Sequence, residues 1–177
     1  MAKKALIAVS GGIAVYKVCQ VVSDLGKRGV DVQVIMTENA TKFVTPLTFQ
    51  TLSRNPVYVE TFAPVADWKP EHISLAEAAD VALVAPATAN TLAKLRFGLA
   101  DNLLTETLLA TRARLFVAPA MNAGMWEAAA TRENLSVLAA RGVTVIAPGV
   151  GELACGTAGA GRMAEPSEIF GIISKSV

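Results

Sequence analysis

Short apolar runs alternate along this chain with longer stretches in which apolar residues recur every three or four positions. Ala5–Val9 is a continuous apolar run closed by Ser10-Gly11-Gly12, the signature of a strand buried on both faces. Val15, Val18, Val22 and Leu25 then share one helical face, which predicts a helix over Ile13–Arg28 stopped by Gly29. The same alternation predicts strands at Val32–Met36, Val81–Ala85, Leu115–Ala118 and Val143–Ala147, with a short edge strand at Val57–Val59. Helices are expected over Ala40–Leu52 (interrupted near Pro46), from Pro86 to about Arg96, and over Asn102–Ala110, Trp126–Ala140 and Pro166–Ser174. Residues 60–71 and the Gly-rich stretch 148–166 read as loops, the second as a mobile flap outside the core. Strands alternating with helices specify an α/β chain: one domain with a Rossmann-like, doubly wound parallel sheet covered on both faces.

Composition narrows the function classes. The 177 residues are 53% hydrophobic and 18% charged, enough apolar content for a core and too much for disorder. Sixteen Lys and Arg balance fifteen Asp and Glu, so there is no cationic excess for a nucleic-acid backbone. Two cysteines, Cys19 and Cys155, and one histidine, His72, give neither a disulfide framework nor a metal-ligand set. No run approaches a bilayer span and no leader pattern is visible, so a cytoplasmic location is expected. A mean hydropathy of +0.44 is high for a monomer and predicts a homo-oligomer that hides apolar surface between subunits.

In doubly wound sheets ligands bind beyond the carboxyl ends of the strands. That rule selects Ser10-Gly11-Gly12, Thr37-Glu38-Asn39, Pro86–Thr91 and Pro119–Met125, which are expected to converge. Ser10-Gly11-Gly12 can hold a phosphate at a helix N-terminus, or can be a tight turn only. It lacks the third glycine of a dinucleotide fingerprint, which weighs against an NAD site with Glu38 on the ribose. Thr88 and Asn122 each read either as ligand-binding groups or as plain N-caps. Ser74-Leu75-Ala76-Glu77 has the capping-box pattern, which sets His72 just ahead of a helix; it is a candidate general base or a packing histidine. Cys155, among glycines, is a better chemical candidate than Cys19, which falls mid-helix.

Taken in order, Ser10-Gly11-Gly12, His72, Pro86-Ala87-Thr88-Ala89-Asn90-Thr91, Asp101-Asn102-Leu103-Leu104, Pro119-Ala120-Met121-Asn122 with Met125-Trp126, and Ala154-Cys155-Gly156 with Gly161-Arg162-Met163-Ala164-Glu165-Pro166 resemble the flavin-containing cysteine decarboxylases. Within that family the likeness is greatest to the branch that decarboxylates phosphopantothenoylcysteine in coenzyme A biosynthesis. The resemblance covers nearly the whole chain. It implies the flavoprotein fold, with FMN held by Gly11, Gly12, Ile13, Thr37, Thr88, Ala89, Asn90, Thr91 and Ala120. It implies His72 as active-site base, Cys155 as proton donor, and a substrate held by Asn122, Met125, Ala154, Gly156 and Arg162. It also implies a trimer-based homo-oligomer, up to a homododecamer, with FMN between subunits. The implied chemistry oxidises the substrate's thiol side to a thioaldehyde, loses CO2 to give an enethiolate, and returns the hydride to yield 4′-phosphopantetheine. Decarboxylation of a peptide's C-terminal cysteine, and a non-catalytic flavin-binding regulatory subunit, stay open as alternatives. So does the choice between a free-standing enzyme and one domain of a fused decarboxylase and synthetase.

Overall fold

A computed structural model describes residues 2–62, 69–152 and 158–177, apart from the side chains of Glu152 and Ala158. Six parallel strands form one sheet in the order β3-β2-β1-β4-β5-β6: β1 (Lys4–Val9), β2 (Asp31–Met36), β3 (Val57–Tyr58), β4 (Val81–Ala87), β5 (Arg114–Pro119) and β6 (Thr144–Val145). This is the doubly wound order expected from the sequence, with the switch in winding direction between β1 and β4. Each strand alternates its side chains between two cores. Ala5, Ile7 and Val9, with Val81, Leu83 and Ala85, pack toward α1 (Val15–Lys27), α3 (Pro46–Ser53) and α9 (Pro166–Ile173). Leu6, Ala8, Ala82 and Val84 face the other way, toward α4 (Glu71–Ala78), α5 (Ala89–Phe97), α6 (Leu103–Ala110) and α8 (Ala129–Ala140). β4 is buried at all seven positions, which is why its sequence shows no polar alternation.

Several boundaries differ from the sequence reading, each for a local reason. The first helix begins at Val15 rather than Ile13, because Gly12 and Ile13 turn outward from the end of β1. Ala40–Leu52 splits into α2 (Glu38–Thr41), capped by the Thr37 hydroxyl, and α3, which takes Pro46 in its first turn. Trp126–Ala140 is two helices, α7 (Ala123–Glu127) and α8, separated by extended backbone at Ala128. The last strand of the sheet shrinks from Val143–Ala147 to two residues. The Ser74–Glu77 capping box does not start a helix. α4 begins at Glu71, where the Pro70 carbonyl accepts from the N–H groups of Ile73 and Ser74, both at 3.1 Å.

The largest correction concerns residues 148–166. Rather than a loop outside the core, the described part forms an antiparallel pair, β7 (Gly149–Glu152) with β8 (Ala158–Arg162), and then buries Met163 and Ala164. Glycines make this docking possible. A Cβ on Gly161, whose φ is +124°, would lie 2.4 Å from the Met121 carbonyl oxygen, and one on Gly159 would lie 2.9 Å from the Ala123 Cβ. Backbone contact at that range lets the Met121 N–H donate to the Gly161 carbonyl at 2.9 Å, stitching the hairpin to the end of β5. The Gly-rich composition thus marks close backbone approach.

Two predictions follow the packing. Gly161→Ala is expected to cost about 1–3 kcal/mol, from strained backbone and the Met121 clash, with faster amide exchange at Met121 and in β8. Exchange unchanged from the parent would remove the docking role. At the amino ends of the two central strands, the Lys4 N–H donates to Asp80 at 2.8 Å and holds that carboxyl below its ordinary range, with Lys3 and Lys4 adding charge. A carboxyl depressed on folding contributes stability above its unfolded pKa of about 4 and loses it as pH falls through the folded value. The stability difference between the parent and Asp80→Asn, from urea titrations, is therefore expected to be constant above about pH 5 and to shrink below about pH 4.

Candidate active-site cleft

The four loops singled out by the sheet rule meet at the carboxyl ends of the strands. Ser10 is buried there and joins two of them: its hydroxyl donates to the Pro86 carbonyl at 2.6 Å and accepts from the Thr88 N–H at 3.1 Å. Around this bridge lies a cleft with two lobes that share Gly11, Thr88, Ala89 and Met125. One lobe, of about 680 Å³, is walled by Gly12, Ile13, Tyr16, Lys17, Ala120, Met121, Asn122, Arg162 and Met163. The other, of about 800 Å³, takes Thr37, Asn39, Asn90, Thr91, Lys94, Asp101, Asn102 and Thr105. Each lobe is in the size range of small-molecule sites.

Helix starts dominate the walls. The α1 N-terminus has no side-chain cap, and Gly12, Ile13 and Ala14 present its backbone to the first lobe. α2 is capped by Thr37, α5 by Thr88 and α7 by Asn122. The Thr88 hydroxyl accepts from the Thr91 N–H at 3.2 Å and lies 3.0 Å from the Thr91 hydroxyl. The Asn122 Oδ1 accepts from the Gly124 N–H at 2.8 Å, which fixes this carboxamide at the start of α7 in the cleft wall. A Cβ on Gly11 would fall 2.5 Å from the Asn39 Cβ, so this glycine lets the β1 loop close onto the β2 loop. Helix N-termini, threonines and apolar walls in one cleft suit a ligand with a phosphate, a polyol and a flat ring.

Charge at the cleft is arranged in pairs. Lys94 donates to both oxygens of Asp101, at 2.8 and 2.6 Å, and this bond, with the lysine's charge, holds the Asp101 carboxyl below its usual range. At the far side of the first lobe, Lys17 and Arg162 both reach Glu165 Oε1 at 3.0 Å, and the Lys17 hydrogen bond is the main cause of that carboxyl's lowered pKa. Met125 faces the cleft, whereas its neighbour Trp126 is buried, with Arg132 4.4 Å over its ring.

Of the residues named from the sequence, Gly11, Gly12, Ile13, Thr37, Thr88, Ala89, Asn90, Thr91, Ala120, Asn122, Met125 and Arg162 all line this cleft. His72 is partly buried in the first turn of α4 and is not in the lining of either lobe. Ala154, Cys155 and Gly156 lie outside the described residues. Cys19 is mid-helix and half-buried, and burial pushes its thiol up, in keeping with a packing role. Sequence reasoning named Ser10 with its loop but not its bridging role, and it did not assign Tyr16 or Lys17 to the site. Ser10 had a signal, a lone hydroxyl ending an apolar run; Lys17 had none, because its partner Glu165 is 148 positions away. Among the described residues there is no cluster of potential metal ligands, and no helix is long and apolar enough to cross a membrane.

The comparisons with known proteins agree with this geometry. The flavoprotein family model matches residues 1–177. The coenzyme A biosynthesis bifunctional protein CoaBC of Bacillus subtilis (strain 168) is 49% identical over 173 residues, which cover 98% of this chain. Those residues span only 43% of the length of that relative. Among solved structures, a cysteine-to-serine mutant of PPC decarboxylase complexed with pantothenoylaminoethenethiol superposes with a TM-score of 0.87 at 33% identity, covering 99% of this chain and 98% of the other. The FMN binding protein AtHal3 gives 0.83 at 34% identity, over 99% and 96% of the two chains. The six-stranded parallel sheet, the cleft at its switch point and a match along the whole chain together establish that this protein is a member of the flavoprotein family.

Proposed function

We propose that this chain is an FMN-dependent decarboxylase that converts 4′-phosphopantothenoylcysteine to 4′-phosphopantetheine and CO2. The observation that carries the reading is the cleft itself. Twelve residues that the decarboxylase resemblance selects, scattered from Gly11 to Arg162, come together around two joined lobes. The likeness to PPC decarboxylase over 98% of that chain and to CoaBC at 49% identity supports the substrate.

The residues present fit a flavin mononucleotide. The uncapped start of α1 and the threonines at Thr37, Thr88 and Thr91 supply donors for a phosphate and a ribityl chain, and Ala120 and Met125 supply apolar surface for a ring. Once bound, the flavin supplies a reversible two-electron centre, without which loss of CO2 would leave an unstabilised carbanion. The chain's own groups do the rest. Asn122, fixed in the cleft wall at the start of α7, holds the substrate carboxylate. His72 takes the proton of the reacting group, and Cys155 returns one to the product carbon.

His72 does not line the cleft of its own chain, while apolar Ile13, Tyr16 and Met125 stand exposed at the cleft edge. Both features support a site completed by a neighbouring subunit in a trimer-based assembly, which also accounts for the high mean hydropathy.

Three measurements test this reading. The purified protein is expected to be yellow and to release CO2 from 4′-phosphopantothenoylcysteine; turnover only of a peptide ending in cysteine would overturn the substrate, and bound flavin without any CO2 would overturn the enzyme. His72→Asn is expected to retain flavin and lose about 10²–10⁴-fold in rate; an unaltered rate would discard the base. Light scattering at micromolar concentration is expected to give a multiple of three chains, and a mass of one chain would exclude the shared site.

A further inference from the structure

The first lobe ends on a charge arrangement that neither a flavin nor a cysteine carboxylate requires. Lys17 projects from the first turn of α1 and Arg162 from the end of β8, and both contact the same oxygen, Glu165 Oε1, at 3.0 Å. The Lys17 side chain is only 11% exposed, so packing along its length holds it in place. Arg162 is aimed by the hairpin: its Nη1 lies 3.4 Å from where a Cβ on Gly151 would be. Two cations against one carboxylate leave a local net positive charge. Glu165 Oε1 takes one hydrogen bond from Lys17 and an ion-pair contact from Arg162, out of three N–H groups on an ammonium and five on a guanidinium. The same lobe holds Asn122 and apolar side chains such as Ile13, Tyr16 and Met121.

A lobe that holds a carboxamide, an ammonium and a guanidinium among apolar walls matches a largely apolar ligand that carries a second anion besides a carboxylate. Arginine with lysine is a pairing suited to a phosphomonoester, which offers several oxygens and up to two negative charges. We infer that Lys17 and Arg162, positioned by Glu165, form a subsite for a terminal phosphomonoester and set the preference for a phosphorylated over an unphosphorylated substrate. This rests on the decarboxylase reading above. The cofactor's own phosphate is the other source of the same chemistry, and the hydroxyl-rich lobe with Thr37, Thr88 and Thr91 is the better place for it.

The test uses the full-length flavin-loaded protein and calorimetric binding of 4′-phosphopantetheine and pantetheine, alongside turnover of the two matching cysteine substrates. The parent is expected to bind the phosphorylated compound at least tenfold more tightly. Lys17→Gln and Arg162→Gln are each expected to reduce that preference at least fivefold, leave the unphosphorylated compound's affinity unchanged and retain flavin; Arg162→Lys is expected to recover part of it. Equal binding of the two compounds by the parent, or variants that weaken both compounds alike, would overturn the subsite. Flavin lost from the variants on gel filtration would assign these cations to the cofactor's phosphate and also overturn it. A phosphate-dependent affinity with no CO2 release would leave the subsite standing and remove the decarboxylase reading.

Discussion

The site depends on the bridge made by Ser10. A doubly wound sheet splays its loops apart where the winding direction reverses, and that gap is useful only if its two sides keep a fixed spacing. The Ser10 hydroxyl spans it, donating to the Pro86 carbonyl after β4 and accepting from the Thr88 N–H that opens α5. Because Ser10 is buried, both of its bonds lie out of competition with water, and losing either would leave a polar group unsatisfied. The position of the α1 N-terminus relative to the threonines of α5 follows from this one side chain. Gly11 does the same between the β1 and β2 loops through contact with Asn39 rather than through a hydrogen bond.

Once those loops are fixed, the hairpin closes the third side. Its attachment is a backbone matter, with the Met121 N–H on the Gly161 carbonyl and glycines wherever a Cβ would collide. Met163 and Ala164 then enter the core beside α9. Anchored along β8 and just after it in this way, the chain delivers Arg162 to the cleft at a defined place, and Glu165 ties it to Lys17 on α1. First helix, hairpin and last helix, distant in sequence, thus become one wall.

The alternation of apolar runs and helical stripes made the sheet, its class and the convergence of four loops legible from the sequence, because strands buried on both faces admit few other patterns. Boundaries at Val15, Glu71 and Ala128 were less legible. There the deciding factors are the carbonyl of Pro70 and a single extended residue, which leave little trace in periodicity. The described part of 148–166 departs from the loop expected there because glycines that permit close approach have the same composition as glycines that permit motion. Only the Met121 and Ala123 contacts separate the two, and they are tertiary. Lys17 was invisible for the same reason.

Capping and ligand binding looked like rivals at Thr88 and Asn122, and the geometry shows they need not be. Thr88, Asn122 and Thr37 are all N-caps, and all three line the cleft. A cap commits one oxygen of the side chain to a helix N–H and so removes its rotational freedom. What remains is a side chain held in one place on the cleft wall, with its orientation set by the helix it caps. Side chains already ordered by the fold lose little further entropy when a ligand arrives, which is how preorganisation gains affinity. The capping residues are the ones a binding site at helix starts would recruit, and finding an N-cap at the carboxyl end of a parallel strand is evidence for a ligand position as much as against it.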